Sequence, residues 1–319
     1  MVYILIVLGF VLLIKGADLF VDGASNIART LRVSPLLIGL TIVAFGTSAP
    51  EATVSIIAAV EGNAGVAIGN IVGSNIMNIS LVIGVAAFLY PIKVQKEMIR
   101  KEIPFTLLVS VVLLILVSDI ALQGTSTDLI TRGDGFIILM FLTIFLYLIF
   151  ESARRNREIT QEEATVVSAP TSWTKNILLT VGGLVGIILG GELVVNNAVD
   201  IALSFGMSET LVGLTIVSIG TSLPELITSI TAAMKKESDI ALGNIIGSNI
   251  FNILFVLGTT AVIHPLALES KIIVDILIMI VLTIALLIFS RTNFRIGKYE
   301  GLFLVIAYIL YTIFIIIRN

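Results

Sequence analysis

The stretch Gly39 to Glu51, GLTIVAFGTSAPE, returns at Gly213 to Glu225 as GLTIVSIGTSLPE. Each copy sets a carboxylic acid, a proline and a pair of hydroxyls inside an apolar run about long enough to cross a bilayer, where a charged side chain costs roughly 2.5–3.5 kcal/mol or more. One acid in such a run could be incidental. Two, each preceded by the same Gly-Thr-Ser-x-Pro, read as half-sites of one functional centre.

The composition around these copies fixes the setting. With 57% hydrophobic and 13% charged residues among 319, and a mean hydropathy of +1.10, the chain carries more apolar surface than a soluble core could hide. The apolar residues fall into continuous runs of about 20, which excludes the alternating pattern of a β-barrel and implies an all-α polytopic membrane protein. There is no cysteine, so neither a disulfide framework nor a thiolate metal site can exist, and the net charge of −3 says little about partners.

Ten spans are expected: Val2 to about Ile27, Pro35–Val60, Val66–Tyr90, Pro104–Val117 with an extension towards Leu122, Phe136–Phe150, Asn176–Leu203, Thr210–Met234, Ile240–Ile263, Ile272–Phe289 and Gly301–Ile317. The first lacks the basic start and small-residue cleavage site of a signal peptide and is kept as a helix. One long polar segment, Glu151 to Thr174, separates five helices in residues 1–150 from five in 175–319 and reads as a solvated linker. At a constant offset of 174, Gly16-Ala17-Asp18-Leu19 falls on Gly190-Gly191-Glu192-Leu193, and GNIVGSNIMNI (Gly69–Ile79) falls on GNIIGSNIFNI (Gly243–Ile253). Pro91 falls on Pro265, so the register holds without a gap and marks an internal duplication.

An odd number of helices per repeat inverts the second half. The loops assigned to one side hold fifteen lysines and arginines (Arg29, Arg32; Lys93, Lys96, Arg100, Lys101; Arg154, Arg155, Arg157, Lys175; Lys235, Lys236; Arg291, Arg295, Lys298), whereas the other side holds three, Arg132, Lys271 and Arg318. Cytoplasmic loops collect these residues, so the linker is expected in the cytoplasm and both termini outside the cell membrane. Two inverted five-helix repeats with interrupted helices form a transporter architecture.

The chemistry of the duplicated stretches follows from residue types. Pro50 and Pro224 have no backbone N–H, so the carbonyls of Gly46 and Gly220 lose their helical partners and can face a cation. Thr47, Glu51 and Ser55 share a helix face with Ser48 beside them, and Thr221, Glu225 and Ser229 repeat this next to Ser222. Ser74 and Asn78, like Ser248 and Asn252, are four apart and add hydroxyl and amide oxygens, while Gly69, Gly73, Gly243 and Gly247 permit close helix approach. Oxygen donors without His or Cys suit hard cations, Ca2+ or Na+, and argue against zinc, copper or iron. Asp18, Glu192 and His264 read as residues of helix ends, and Asn78-Ile-Ser80, though it fits a glycosylation pattern, is inside a helix.

The paired GTS[AL]PE and GNI[VI]GSNI segments resemble the α-repeats of the cation/Ca2+ exchanger superfamily, in its prokaryotic sodium/calcium exchanger branch, and the resemblance covers nearly the whole chain. It implies a secondary antiporter of ten helices that exchanges Na+ for Ca2+ by alternating access, helices 1 and 6 sliding across the other eight, with no enzymatic activity. The family's ion ligands fall on Ala44, Thr47, Ser48, Glu51, Ser74 and Asn78, and on Ser218, Thr221, Ser222, Glu225, Ser248 and Asn252. Glu51 and Glu225, with Thr47 and Thr221, are implied for Ca2+, and the remaining eight for Na+ sites and the pocket, Ala44 and Ser218 through their carbonyls. Asn252 stands where some relatives, potassium-dependent ones included, have an acid, which argues against K+ coupling. Proton-coupled relatives have Gly-Asn-x-x-Glu, absent from both repeats here.

The residues leave an H+/Ca2+ antiporter using the same glutamates as the alternative. An intramembrane aspartyl protease requires two aspartates in Tyr-Asp and Gly-x-Gly-Asp settings, and neither acid is Asp; a passive channel would conduct without a counter-ion. No cofactor, no nucleic acid and no obligate protein partner is expected beyond Ca2+, Na+ and the lipid bilayer. Three Na+ against one Ca2+ would leave one net positive charge on two carboxylates and make exchange electrogenic. The loop charges also make a prediction about sidedness. In the cysteine-free chain Ser168→Cys should resist an impermeant thiol reagent in intact cells while Asn319→Cys reacts; the reverse pattern would overturn the orientation.

Overall fold

A largely apolar stretch with no internal proline, interrupted by Lys15, Asp18, Asp22 and Arg29, folds from Val2 to Leu31 as one helix of 30 residues, α1, which at 1.5 Å per residue exceeds the thickness of a bilayer core. The computed structural model describes residues 2–31, 33–124, 126–163, 172–205, 218–269 and 271–318. The second span comes in pieces: α2 (Pro35–Ile38), capped by the Ser34 hydroxyl, a wide π-type turn at Gly39–Val43, α3 (Ala44–Thr47) and α4 (Ala49–Val60). Between Pro35–Thr47 and Ala49–Val60 the axis bends by 47°, at the place where Pro50 removes a backbone donor.

Next come α5 (Ala64–Met77), a π turn at Asn78–Val82 and α6 (Ile83–Leu89), which together make one span. A π turn at Met98–Glu102 leads into α7 (Ile103–Leu116), and the extension towards Leu122 is a separate helix, α8 (Asp119–Gln123), ended by Gly124 at φ +68°. The sequence continues through α9 (Arg132–Glu163) and α10 (Trp173–Ser204). The second half adds α11 (Ser218–Thr221), α12 (Leu223–Met234), α13 (Ser238–Phe251), a π turn at Asn252–Leu257 and α14 (Gly258–Ile263). It ends with α15 (Lys271–Arg291) and α16 (Lys298–Arg318).

Among the described residues, seven helices are long and apolar enough to cross a membrane, and the bent pair makes an eighth. The beginning of the second GLTIV copy, Gly213 to Val217, lies outside the described residues, as do Thr210 and most of the polar segment after Glu163, Ser168 included. The part of that segment from Glu151 to Glu163 continues α9 as helix rather than as open coil. Its charged and polar residues are nearly all good helix formers, so α9 has no reason to stop where the apolar run does. Four short strands interrupt the all-helical expectation: β1 (Ile92–Lys93) pairs antiparallel with β4 (Arg295–Ile296), and β2 (Asp128–Ile130) with β3 (Leu266–Leu268). They tie loops together at the ends of the bundle and leave its helical character intact.

Burial divides the bundle into a centre and a periphery. The spans Ala64–Leu89 and Ser238–Ile263 are 78% and 89% buried, against 11% for Arg132–Arg154 and 17% for Lys298–Arg318, so the two GNIxGSNI helices form the middle and the latter pair faces lipid. Close approach at this centre depends on glycine. A Cβ on Gly243 would lie 2.8 Å from the Leu36 carbonyl oxygen, and one on Gly247 2.7 Å from the Leu40 carbonyl oxygen. Gly69, the counterpart of Gly243, has no neighbour within 4 Å among the described residues, and the segment that the offset of 174 would set against it is outside them.

α1 and α10 run antiparallel in contact along most of their length, Gly9 against Gly190, Gly16 against Gly183, and Gly23 against Thr180. At one end, Lys235 closes on α1: its Nζ lies 2.7 Å from an oxygen of Asp18 and 2.7 Å from one of Asp22, and donates to the Asp18 carbonyl at 2.8 Å. Partial burial disfavours the ammonium, but the hydrogen bonds and charges of the two carboxylates outweigh it and hold the Lys235 pKa above its ordinary value. Arg29 and Glu237 add a second pair at 3.1 Å. Asp18 and Glu192 are not at the helix ends that their sequence positions implied, because α1 and α10 each continue as helix well past them, to Leu31 and Ser204; exposed His264, just after α14, rests its Nδ1 3.0 Å from the Pro265 carbonyl oxygen.

The α1–α10 seam has little room to give, because a Cβ on Gly16 would stand 2.8 Å from both the Gly183 oxygen and the Ile187 nitrogen. Gly16→Val is therefore expected to push the two helices apart and cost about 1–3 kcal/mol, as overpacking does in other close-packed interiors. Thermal unfolding of the detergent-solubilised protein checks this: an unchanged midpoint would mean that the seam is looser than its geometry.

Candidate cation site

Two breaks in helical geometry create the site. Ser48, at φ −82° and ψ 6°, separates α3 from α4, and Ser222, at φ −89° and ψ 6°, separates α11 from α12. Pro50 and Pro224 are each the second residue after the break, where the missing N–H would have had no helical partner. Glu51 and Glu225 therefore fall in the first turn of a new half-helix, whose unpaired N–H groups and dipole favour negative charge. Both carboxylates are completely buried.

What holds them comes from across the molecule. The Ser222 hydroxyl donates to Glu51 Oε1 at 3.1 Å, and the Ser48 hydroxyl donates to Glu225 Oε1 at 3.0 Å, so each half supplies the donor for the other half's acid. Ser248 reaches Glu225 Oε1 at 3.4 Å and the Ala44 carbonyl oxygen at 3.5 Å. Thr47 Oγ1 meets Asn244 Oδ1 at 3.0 Å, and Thr221 Oγ1 meets Asn70 Oδ1 at 3.3 Å. The two amides are oriented in turn by Ser55 and Ser229, each accepting from its own half's Asn70 or Asn244 at 3.0 Å. Most other buried hydroxyls bond back to their own helix, as Thr106, Ser110, Thr260 and Thr283 do. The cross-molecular hydroxyls are the ones the duplicated motif contains.

A layer of amides lies beside the carboxylates. Asn75 Nδ2 donates to the Asn249 carbonyl at 3.2 Å and Asn249 Nδ2 to the Asn75 carbonyl at 3.4 Å, a reciprocal pair between the two central helices. Asn78 Nδ2 donates to Asn249 Oδ1 at 3.1 Å, and Asn252 Nδ2 to Ser74 Oγ and Asn75 Oδ1, both at 3.2 Å. Asn78 and Asn252 each open a π turn, where one extra residue per turn re-aims the side chains that follow. Glu51 Oε2, Glu225 Oε2, Asn78 Oδ1 and Asn252 Oδ1 are buried with no hydrogen-bond partner. All four are acceptors, and buried acceptors left unpaired are costly unless a cation meets them.

The structure thus gathers Ala44, Thr47, Ser48, Glu51, Ser74, Asn78, Thr221, Ser222, Glu225, Ser248 and Asn252 into one hydrogen-bonded centre. Ser218, at the start of α11, makes no such contact among the described residues, and Val217 before it is outside them. Residue-type reasoning passed over Asn70, Asn244, Asn75 and Asn249. The first two were accessible, because Asn70, Ser74 and Asn78 stand four apart on one helix face, and so do Asn244, Ser248 and Asn252. Among the described residues no three His, Cys, Asp or Glu side chains cluster, so any cation held here would depend on two carboxylates and neutral oxygens.

A chain that spans a membrane several times and buries two acids among oxygen donors has the make-up of a cation transporter. The sequence profile of the sodium/calcium exchanger protein family matches residues 1–151 and 175–317, and the chain belongs to that family of membrane exchangers. The unmatched interval coincides with the polar segment. The chain is 43% identical over 316 residues to the putative antiporter CaxA of Alkalimonas amylolytica, covering 97% of this chain and 96% of that one. It is 32% identical to the sodium/calcium exchanger MaX1 of Methanosarcina acetivorans, over 98% and 97% of the two chains. A solved structure of the sodium-calcium exchanger NCX_Mj superposes with a TM-score of 0.81 at 32% identity, covering 95% of each chain. Cation exchange involving Ca2+ is the function this family membership supports.

The amide layer gives a direct test of the site's architecture. Asn249→Leu deletes a second donor to the Asn75 carbonyl, which the Asn78 N–H also meets, and the acceptor for Asn78 Nδ2, leaving one buried amide donor unpaired at about 1–3 kcal/mol. A lower unfolding midpoint with unchanged helix content is the expected result; an unaltered midpoint would show that these amides do not couple the two central helices.

Proposed function

We propose that this chain is an antiporter of ten transmembrane helices in two inverted five-helix repeats, residues 1–150 and 175–319, exchanging Na+ for Ca2+ by alternating access. The observation that carries the reading is the set of four buried, unpartnered oxygens on Glu51, Glu225, Asn78 and Asn252. Two formal negative charges among neutral oxygens match the charge of one Ca2+, an ion that takes 6–8 oxygen ligands. In this scheme Glu51 and Glu225, with Thr47 and Thr221, bind Ca2+. Ser48, Ser74, Asn78, Ser222, Ser248 and Asn252, with the carbonyls of Ala44 and Ser218, complete the Na+ sites and the pocket. The matching bonds at an offset of 174, Ser48 to Glu225 and Ser222 to Glu51, support two halves related by duplication. Loop charges support a cytoplasmic segment 151–174 with both termini outside. No resident cofactor and no obligate protein partner enter the scheme.

Three Na+ for one Ca2+ moves one net charge, worth about 2.3 kcal/mol per 100 mV, so exchange is electrogenic. The test is uptake of radiolabelled Ca2+ into proteoliposomes under an outward Na+ gradient, at potentials clamped with K+ and valinomycin. Wild-type uptake should need the Na+ gradient and rise with an inside-positive potential, while Glu51→Gln and Glu225→Gln should each abolish it in a folded protein. Uptake near the wild-type rate in either variant would overturn the site assignment. Indifference to voltage would exclude three-for-one exchange, and uptake driven by a pH gradient without Na+ would establish H+ coupling through the same glutamates.

A further inference from the structure

Far from the buried glutamates, where the loop after α6 meets the loop between α15 and α16, a cavity of about 340 Å3 is lined by Lys96, Ile99, Arg100, Arg291 and Phe294. That volume is within the range of small-ligand sites. Backbone pairing builds it. β1 pairs with β4, setting Lys93 opposite Arg295, and Val94 N–H donates to the Phe294 carbonyl at 2.9 Å, so the two loops form one unit. The turn that leads into β4 places both Asn293 and Phe294 at positive φ, 57° and 52°, a conformation an aromatic residue seldom adopts. Its effect is to present the Phe294 ring, half exposed, at the cavity, with Lys96 Nζ 5.8 Å from the ring centroid.

The charges here are unbalanced. Lys96, Arg100 and Arg291 are exposed, and none of them forms an ion pair among the described residues. Other cations of the molecule do find acids, Lys235 with Asp18 and Asp22, Arg318 with Asp275. Glu97 lies next to Lys96 in sequence and is the one acid within the segment from Lys93 to Lys101, which holds four bases. Arg291 ends the membrane-spanning helix α15, and the π turn that opens α7's span begins at Met98, so the cavity stands at the level where apolar helix gives way to polar loop. Phospholipid headgroups occupy that level. Ile99 is buried and Phe294 half exposed, which gives the cavity an apolar wall on which an acyl chain or glycerol backbone can lie.

We propose that this pocket binds the phosphate-bearing headgroup of an anionic phospholipid, with Lys96, Arg100 and Arg291 converging on the phosphate and Phe294 lining the membrane side. Fork-shaped guanidinium groups match phosphate oxygens, and basic pockets between helix ends are a recurrent way of selecting anionic lipid. The assignment is independent of the ions the protein exchanges.

Native mass spectrometry of the full-length protein in detergent, titrated with phosphatidylglycerol, with phosphatidylcholine and with inorganic phosphate, tests it. Phosphatidylglycerol should remain bound in preference to phosphatidylcholine, and the combined variant Lys96→Gln, Arg100→Gln, Arg291→Gln should weaken its binding by about tenfold or more. Equal retention of the two lipids, or an unaffected triple variant, would overturn the proposal. So would saturable binding of inorganic phosphate without lipid preference, which would identify a small-anion site. The variant Lys93→Gln, Arg295→Gln, Lys298→Gln removes as much charge from the same loops outside the cavity, and an equal loss there would show diffuse attraction instead of a pocket. If the triple variant loses the wild-type unfolding midpoint, Arg291→Gln alone provides the comparison, with at least a threefold loss expected and none overturning the assignment.

Discussion

Two carboxylates in the middle of an apolar bundle impose the constraint on which the rest of this structure depends. Neither Glu51 nor Glu225 has a basic partner among the described residues; each is met by a serine hydroxyl from the other half, Ser222 at 3.1 Å and Ser48 at 3.0 Å. The helices break at those serines, next to Pro50 and Pro224, and the hydroxyls point across the molecule instead of back along their own helices. The same break turns each acid into a first-turn residue, where exposed N–H groups favour its charge. One local departure from helical geometry thus satisfies the acid next to it and frees a hydroxyl for the acid opposite.

Holding two broken helices in register requires a rigid middle, and the GNIxGSNI helices provide it. Their glycines bring backbones to within about one atom's width, Gly243 against Leu36 and Gly39, Gly247 against Leu40 and Ala44. Their asparagines then join the two helices by reciprocal side-chain to backbone bonds that water cannot replace at that depth. By contrast, α1 and α10 meet each other largely through glycine and aliphatic surface, with their polar anchoring concentrated at the Lys235 end. The seam is held by close backbone contact, the centre by directional amide bonds.

Much of this was legible in the chain because it is written twice. A single GTSxPE would have left Ser48 as an ordinary helical serine, whereas its recurrence as Ser222 marks both as parts of one centre, and for most of the described spans the apolar runs give the boundaries to within a few residues. What the repeat does not carry is pairing. That Ser48 serves Glu225 and not the nearby Glu51 follows from how the halves face each other, a long-range property without periodic signature. Asn75 and Asn249 escaped for a related reason, since they sit one residue off the face that Asn70, Ser74 and Asn78 share and acquire their partners only when the central helices cross. The helical extension of α9 to Glu163 was hidden by composition, because charged residues favour both solvated loops and exposed helix.

The four oxygens without hydrogen-bond partners bear on the difference between an exchanger and a leak. Under the alternating access proposed above, the centre must pass through a closed form, and closure without cargo would seal two carboxylates and two unpaired amide oxygens away from water. In that scheme such a form lies high in energy, so the unoccupied molecule meets a steep barrier to turning over, and the barrier falls when cations neutralise the carboxylates. Movement of one ion outward is, in the same scheme, made conditional on the arrival of another. The coupling resides in the cost of emptiness.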